Sequence, residues 1–149
     1  MINRLRVRAQ SESGFTLVEL LVVMLILGLL AAIAIPGFFN QRIKAQDAEA
    51  KSIVKTAQTA LETFATDNNG SYALADRAKL KTIEPTLSSA TSGANAITLL
   101  TVATSSYTIT VQSVSGNTFS IQRLSDGSLL HPCGTAGTGG CPAGTGGWG

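Results

Sequence analysis

The stretch Gly14-Phe15-Thr16-Leu17-Val18-Glu19-Leu20-Leu21-Val22-Val23-Met24 opens an apolar run that continues to Ile35 and holds one ionisable side chain, Glu19, near its start. A run of this length and hydrophobicity suffices to cross a bilayer as a helix. A charged side chain at the bilayer centre costs about 2.5 to 3.5 kcal/mol, so an acid in such a span marks a functional role by default and calls for a partner. No basic side chain on the same helix reaches it. Arg8 lies behind and Arg42 ahead, and the 23 residues from Glu19 to Arg42 correspond to roughly 35 Å of helix at 1.5 Å per residue. The partner therefore has to come from another chain, or from a new amino terminus created by cleavage nearby.

The same residues can be set against a secretory signal peptide. Arg4, Arg6 and Arg8 would form its basic region, Leu20 to Leu30 its core and Ala32-Ile33-Ala34 its small-x-small cleavage site. Glu19 argues against that reading, because a signal peptide has no use for a carboxylate at the head of its core. The helical pattern also continues straight through the supposed cut.

Helical periodicity persists beyond the apolar run. Ile43, Ala50, Ile53 or Val54, Ala57, Leu61 and Phe64 recur at steps of three and four or their sum, the spacing of one buried face. Lys44, Asp47, Lys51, Lys55, Gln58 and Glu62 are assigned to the remaining polar surface, with Asp47 and Lys51 at the favourable i, i+4 spacing. A single helix from about Phe15 to Asp67, roughly 80 Å long, is expected to stop at Asn68-Asn69-Gly70, residue types that accept the left-handed conformation. Asn69-Gly70-Ser71 also matches a glycosylation sequon. Gly28 and Pro36 interrupt the apolar half: the proline removes one helix hydrogen bond and favours a kink, and the glycine softens the helix by about 1 kcal/mol relative to alanine.

The amphipathic half needs a surface to pack on, and the rest of the chain reads as a small antiparallel sheet. Ile97 to Val102, Tyr107 to Val114 and Thr118 to Leu124 are rich in β-branched and aromatic residues. Tyr107, Ile109 and Val111, then Phe119 and Ile121, alternate with polar neighbours, which implies one buried face. Ser115-Gly116-Asn117 and Asp126-Gly127 are turns, the second leading to a short strand at Ser128 to His131. Asp76 is placed to cap a short helix ending at Ile83, before Glu84-Pro85. Ser88 to Asn95 is a polar connector. The expected fold is α+β: a long amino-terminal helix, apolar then amphipathic, on a three- or four-stranded meander with a carboxy-terminal disulfide loop.

Composition limits the function classes. Of 149 residues, Lys and Arg number 11 and Asp and Glu 9; the excess lies in the first 14 residues, leaving residues 15 to 149 neutral. A neutral chain has no net field with which to grip nucleic acid. Three arginines ahead of the apolar run orient it with the amino terminus in the cytoplasm and everything after about Arg42 outside. On the outer side Cys133 and Cys141, which enclose seven residues with four glycines, are expected to pair, for about 2.5 kcal/mol of stability. His131 and two cysteines leave a zinc ion without a fourth ligand, and no catalytic set, cofactor motif or redox pair is found. The glycine-rich tail is expected to be mobile, with Trp148 either tucked onto the sheet or a neighbour or exposed.

The run Gly14-Phe15-Thr16-Leu17-Val18-Glu19, with its basic leader and long apolar helix, resembles the processing site of type IV prepilins and type II secretion pseudopilins. The likeness extends through Gly28, Pro36 and Asp47-Ala48-Glu49-Ala50-Lys51 to about Asn68. It implies that a membrane-embedded prepilin peptidase cuts between Gly14 and Phe15 and N-methylates the Phe15 amine, which then pairs with Glu19 of a neighbouring subunit. It divides the chain into a cytoplasmic leader (1–14), a membrane and filament-core helix (15–39) and an exported head (40–149). Gly28 and Pro36 fit ordinary membrane helices, where both residues are common; the resemblance implies instead that the segment between them loses helical order when subunits pack. The implied product is a structural subunit, not an enzyme, of an extracellular helical filament. Its partners are other copies of itself, the peptidase, an inner-membrane platform and an assembly ATPase, since no G-x-x-x-x-G-K loop occurs here. A secretion or competence pseudopilin is the rival within the family; secretion major pseudopilins commonly carry a carboxy-terminal calcium site, and Asp126 is the only acid after Glu84, too few ligands for one. A membrane-anchored monomeric binding module is the rival outside it. Many family members close a larger loop with their disulfide, so adhesive or receptor-binding roles do not transfer to this smaller one.

Overall fold

Leu and Val dominate the first helical turns, and alanine recurs at Ala45, Ala48, Ala50, Ala57 and Ala60, residues that fit a helix whether apolar all round or on one side. In the computed structural model, which describes residues 14–88, 92–144 and 147–149, this sequence forms α1, Leu17–Asp67. The predicted leader, apart from Gly14, lies outside the described residues, as do parts of the Ser88 to Asn95 connector and of the tail. The helix starts two residues later than Phe15 because Thr16 occupies the capping position. It continues without a break through Gly28 and Pro36. Its end is as expected: Asn69 and Gly70 adopt φ of 54° and 81°, and the Gly70 amide bonds back to the Ala65 carbonyl at 2.7 Å, closing the helix in the left-handed manner of glycine-terminated helices.

Two compact units divide after Gly37. In the first, every large apolar side chain of α1 is exposed. The second, from Phe38 on, holds the core. There α2, Arg77–Ile83, is capped by Asp76, whose side chain accepts from the Lys79 amide at 2.9 Å, and it buries Leu80. Strands β1 (Ile97–Val102), β2 (Tyr107–Gln112), β3 (Thr118–Arg123) and β4 (Leu129–Leu130) follow in the antiparallel order β1-β2-β3-β4. Arg77 donates to the Ile97 and Thr98 carbonyls at 2.9 and 3.2 Å, tying α2 to the β1 strand.

The strands end slightly earlier than the alternation predicts. The Ser113 amide already bonds across to the Asn117 carbonyl at 2.7 Å, so Val114 belongs to the turn, and Leu124 likewise pairs with Ser128 around Asp126-Gly127. Register is set by paired core residues, Ile109 opposite Ile121 and Val111 opposite Phe119. Ala50, Val54, Ala57, Leu61 and Phe64 of α1 join these four, with Tyr107, Tyr72 and Leu80, in one buried cluster. The Val, Leu, Ile and Phe side chains among these each gain about 1.5 to 3 kcal/mol on full burial, which is what holds the amphipathic half of α1 to the sheet.

Candidate processing and assembly site

Thr16 and Glu19 are one helical turn apart at the start of α1. The Glu19 amide donates to Thr16 Oγ1 at 3.2 Å, and the Thr16 hydroxyl points back at Glu19 Oε2 at 3.5 Å. Four unpaired amides make a helix start electropositive, so the hydroxyl satisfies one of them and the carboxylate interacts favourably with the rest. Glu19 therefore has a local polar partner on its own chain, a hydroxyl rather than a base; the T-x-x-E spacing ahead of an apolar run is the signal that reveals it. Gly14 has open space where a side chain would stand, and Phe15 is 75% exposed.

From Phe15 to Phe39 no large apolar side chain is covered. The segment has a mean hydropathy of 2.9 in its most apolar window, none of which is buried, and α1 is long enough to cross a membrane. An apolar surface this large is not tolerated in water and demands either lipid or other helices.

In the second unit Cys133 and Cys141 are joined by a disulfide, Cα to Cα 5.9 Å, as expected. Its loop is not loose. Asp47, assigned to the polar surface by sequence, is fully buried beneath it. The carboxylate accepts from the Gly140 amide at 2.7 Å, from Asn117 Nδ2 at 2.8 Å and from the Ser115 hydroxyl. Burial pushes the Asp47 carboxyl up, but the donors Ser115, Gly140, Ser113 and Asn117 together outweigh it and hold it below the ordinary 3.8. Lys51 does not form the expected surface pair; its ammonium donates to the Gly140 carbonyl at 2.5 Å. Trp148 is tucked onto the sheet, its indole N–H shared between the Ser120 and Pro132 carbonyls at 3.1 Å each, and its amide donates to the His131 carbonyl at 3.0 Å.

The comparisons with known proteins bear on the first of these regions. Residues 10–35 match the model of the prokaryotic N-terminal methylation motif. The type IV major pilin protein PilA of Myxococcus xanthus is 47% identical over 51 residues, 34% of this chain and 23% of that protein. The type II secretion system core protein G of Aeromonas hydrophila is 40% identical over 58 residues, 39% of this chain and 41% of that protein. The type IV major fimbrial protein FimA of Dichelobacter nodosus is 43% identical over 56 residues, 38% of this chain and 36% of that protein. The chain thus carries the prokaryotic N-terminal methylation motif and is similar, over 34 to 39% of its length, to type IV pilins and to a type II secretion core protein. It spans less than half the length of each of these relatives, and no solved structure matches it.

Of the candidate processing and assembly residues, Gly14 and Phe15 lie just ahead of α1 and Glu19 in its first turn, whereas Cys133 and Cys141 belong to the other compact unit. Sequence reasoning passed over three residues of that second unit. Asp47 lies four residues after Ile43 and three before Ala50, directly on the buried face that the periodicity defines. Glu62 is not simply solvated: it accepts from the phenols of Tyr72 at 2.7 Å and Tyr107 at 2.8 Å and lies 3.5 Å from Arg123. Trp148 offered no pattern at all.

Proposed function

We propose that this chain is a pilin, the structural subunit of a type IV pilus-like extracellular filament. Prepilin peptidase cuts between Gly14 and Phe15 and methylates the new Phe15 amine. The precursor sits in the cytoplasmic membrane with its leader inside and its head, residues 40–149, outside. The observation that carries the reading is the uncovered apolar surface from Phe15 to Phe39, which begins in a capped turn bearing Glu19.

In the membrane, lipid covers this surface; in a filament, the same segments of neighbouring copies do. Lipid is as apolar as the helices, so hydrophobicity gives little net drive for moving from one to the other. Glu19 supplies register by pairing with the Phe15 amine of the next subunit, and an assembly ATPase acting through an inner-membrane platform supplies work. Gly28 and Pro36 supply softness where subunits crowd. The chain does no chemistry of its own in this scheme.

A type II secretion or competence pseudopilin is the second reading, favoured by the similarity to core protein G. The test is electron microscopy of filaments from the producing cell, labelled with antibody to the head. Long surface filaments decorated along their length support the pilin reading. Label confined to the cell envelope in cells that secrete through a type II system supports the pseudopilin, and label on dispersed monomers would overturn both.

A further inference from the structure

Asp47 is the one fully buried acid among the described residues, and nothing in processing or assembly uses it. It lies beneath a loop with no large side chain of its own. Gly134-Thr135-Ala136-Gly137-Thr138-Gly139-Gly140 has little apolar surface to bury, and glycine loses more conformational freedom on ordering than any other residue. The loop is held by the Cys133–Cys141 bond, by the Gly134 amide on the Thr118 carbonyl at 2.9 Å, by Thr138, which exchanges bonds with Asn117 at 3.2 and 3.3 Å, and by the grip of an i, i+4 pair on Gly140. Asp47 takes the Gly140 N–H and Lys51 its C=O.

The approach is too close for side chains. A Cβ on Gly140 would stand 2.8 Å from Asp47 Cβ, and one on Gly139 would stand 2.7 Å from Ile43 Cγ2 and run into the Asp47 carboxylate. Lys51 extends the grip to the tail. While bonded to Gly140, its ammonium lies 5.1 Å from the Phe119 ring centre and 5.6 Å from that of Trp148, and Trp148 meets Phe119 edge to face at 5.9 Å.

We propose that the Cys133–Cys141 loop, Asp47 and Lys51 form a redox-sensitive clasp, in which the disulfide holds the loop on α1 and its reduction releases loop and tail together. A dithiol reductant supplies two electrons and two protons. The S–S bond breaks, two thiols form and the reductant closes to its own disulfide. Freed of closure, the glycine-rich segment leaves Asp47, Thr138 parts from Asn117, water reaches the carboxylate, Lys51 loses its carbonyl partner and Trp148 detaches from Ser120 and Pro132, uncovering the edge of Phe119. The contacts to Asp47 exist only in the closed form, so they favour the oxidised state. By reciprocity, deleting the carboxylate eases reduction.

Trp148 is the single tryptophan, so its emission reports the clasp directly. Full-length chain in detergent micelles is equilibrated with dithiothreitol at graded ratios of reduced to oxidised form, with alkylation and mass measurement counting free thiols and circular dichroism monitoring the fold. On reduction, wild type is expected to shift its emission to that of a solvated indole, with the helical and sheet signal retained. Asp47→Ala is expected to be half-reduced at a ratio at least about tenfold lower, the equivalent of losing one hydrogen bond to a charged acceptor. Gly140→Ala tests the same contact from the loop side, should Asp47→Ala fail to fold, and is expected to shift the ratio in the same direction. Unchanged Trp148 emission after both thiols are alkylated would overturn the clasp. So would equal half-reduction ratios for wild type and the variants.

Discussion

The phenol of Tyr107 on β2 donates to Glu62 Oε1 on α1 at 2.8 Å, joining sheet and helix across the edge of the core. Tyr72 shares the other carboxylate oxygen, and the two rings meet edge to face at 4.9 Å. The head is thus bonded to α1 by polar contacts at two places, Glu62 here and Asp47 near the disulfide, with the apolar cluster between them.

This cluster predicts an alkaline limit to stability. Burial, then the bond and the negative charge of Glu62, push the Tyr72 phenol up from 10 to about 12 and raise Tyr107 as well. Folding therefore favours the protonated phenols. Their contribution is complete below about pH 10 and is lost as pH rises toward the folded-state values. Thermal melts between pH 8 and 12 should fall above pH 10 in wild type and fall less steeply in a Tyr72→Phe, Tyr107→Phe double variant. At pH 7, Tyr107→Phe should cost about 1.5 kcal/mol, and parallel curves for the two proteins would disprove the account.

Asp47 predicts the opposite limit. Its carboxyl is held below the usual value, so the stability it contributes is present above about pH 4 and fades as pH falls through the folded-state value. Asp47→Asn turns an acceptor for three donors into a group that carries donors of its own, at roughly 2 to 3 kcal/mol near neutrality. Denaturant melts at pH 7 and pH 3 should show the difference between wild type and variant shrinking at the lower pH. A constant difference would mean that the charge is not what the loop binds.

The core itself gives a plain test. Phe119 and Leu61 are fully buried, so Phe119→Ala should cost about 3 to 5 kcal/mol and Leu61→Ala about 2 to 5 kcal/mol. Leu129→Ala, on the exposed edge strand, should stay within about 0.5 kcal/mol. Urea melts of the three variants rank them, and a Leu129 effect as large as that of Phe119 would contradict the packing described.

Much of this was legible in the chain because apolar spacing is a strong signal. The steps of three and four through Ala50, Val54, Ala57, Leu61 and Phe64, the alternation through Tyr107, Ile109 and Val111, and the Asp76 cap all placed elements within a residue or two. What escaped were polar residues with tertiary partners. Asp47 occupies the buried face but reads as surface because an acid is seldom buried unless paired, and its donors, Ser115, Asn117 and Gly140, are some 70 to 90 residues away in sequence. Glycines dominate the tail and give no sign of the two backbone carbonyls, of Ser120 and Pro132, that Trp148 bonds. At the amino terminus the T-x-x-E signature is local and legible, and it points to the hydroxyl of Thr16 rather than to a charge.

Processing at Gly14-Phe15 predicts a definite mature end. Intact mass and amino-terminal sequence of the exported protein should show a chain beginning at Phe15 and carrying one extra methyl group. Gly14→Ala should be cut better than a bulky substitution at the same position. A mature chain beginning at Ile35 would restore the signal-peptide reading.

The central claim is that Glu19 serves assembly rather than insertion. Glu19→Ala removes a cost of membrane burial and leaves the Thr16 hydroxyl free to cap α1, so insertion and leader removal should proceed almost as in wild type. Glu19→Gln keeps the shape and loses the charge, and it should assemble little better. The direct measurement is the yield of sheared filaments relative to total processed subunit, in cells whose only copy is wild type, Glu19→Ala or Glu19→Gln. Processed Glu19→Ala subunit accumulating in the membrane with few or no filaments is the predicted result; a wild-type filament yield from Glu19→Ala would contradict the pairing mechanism.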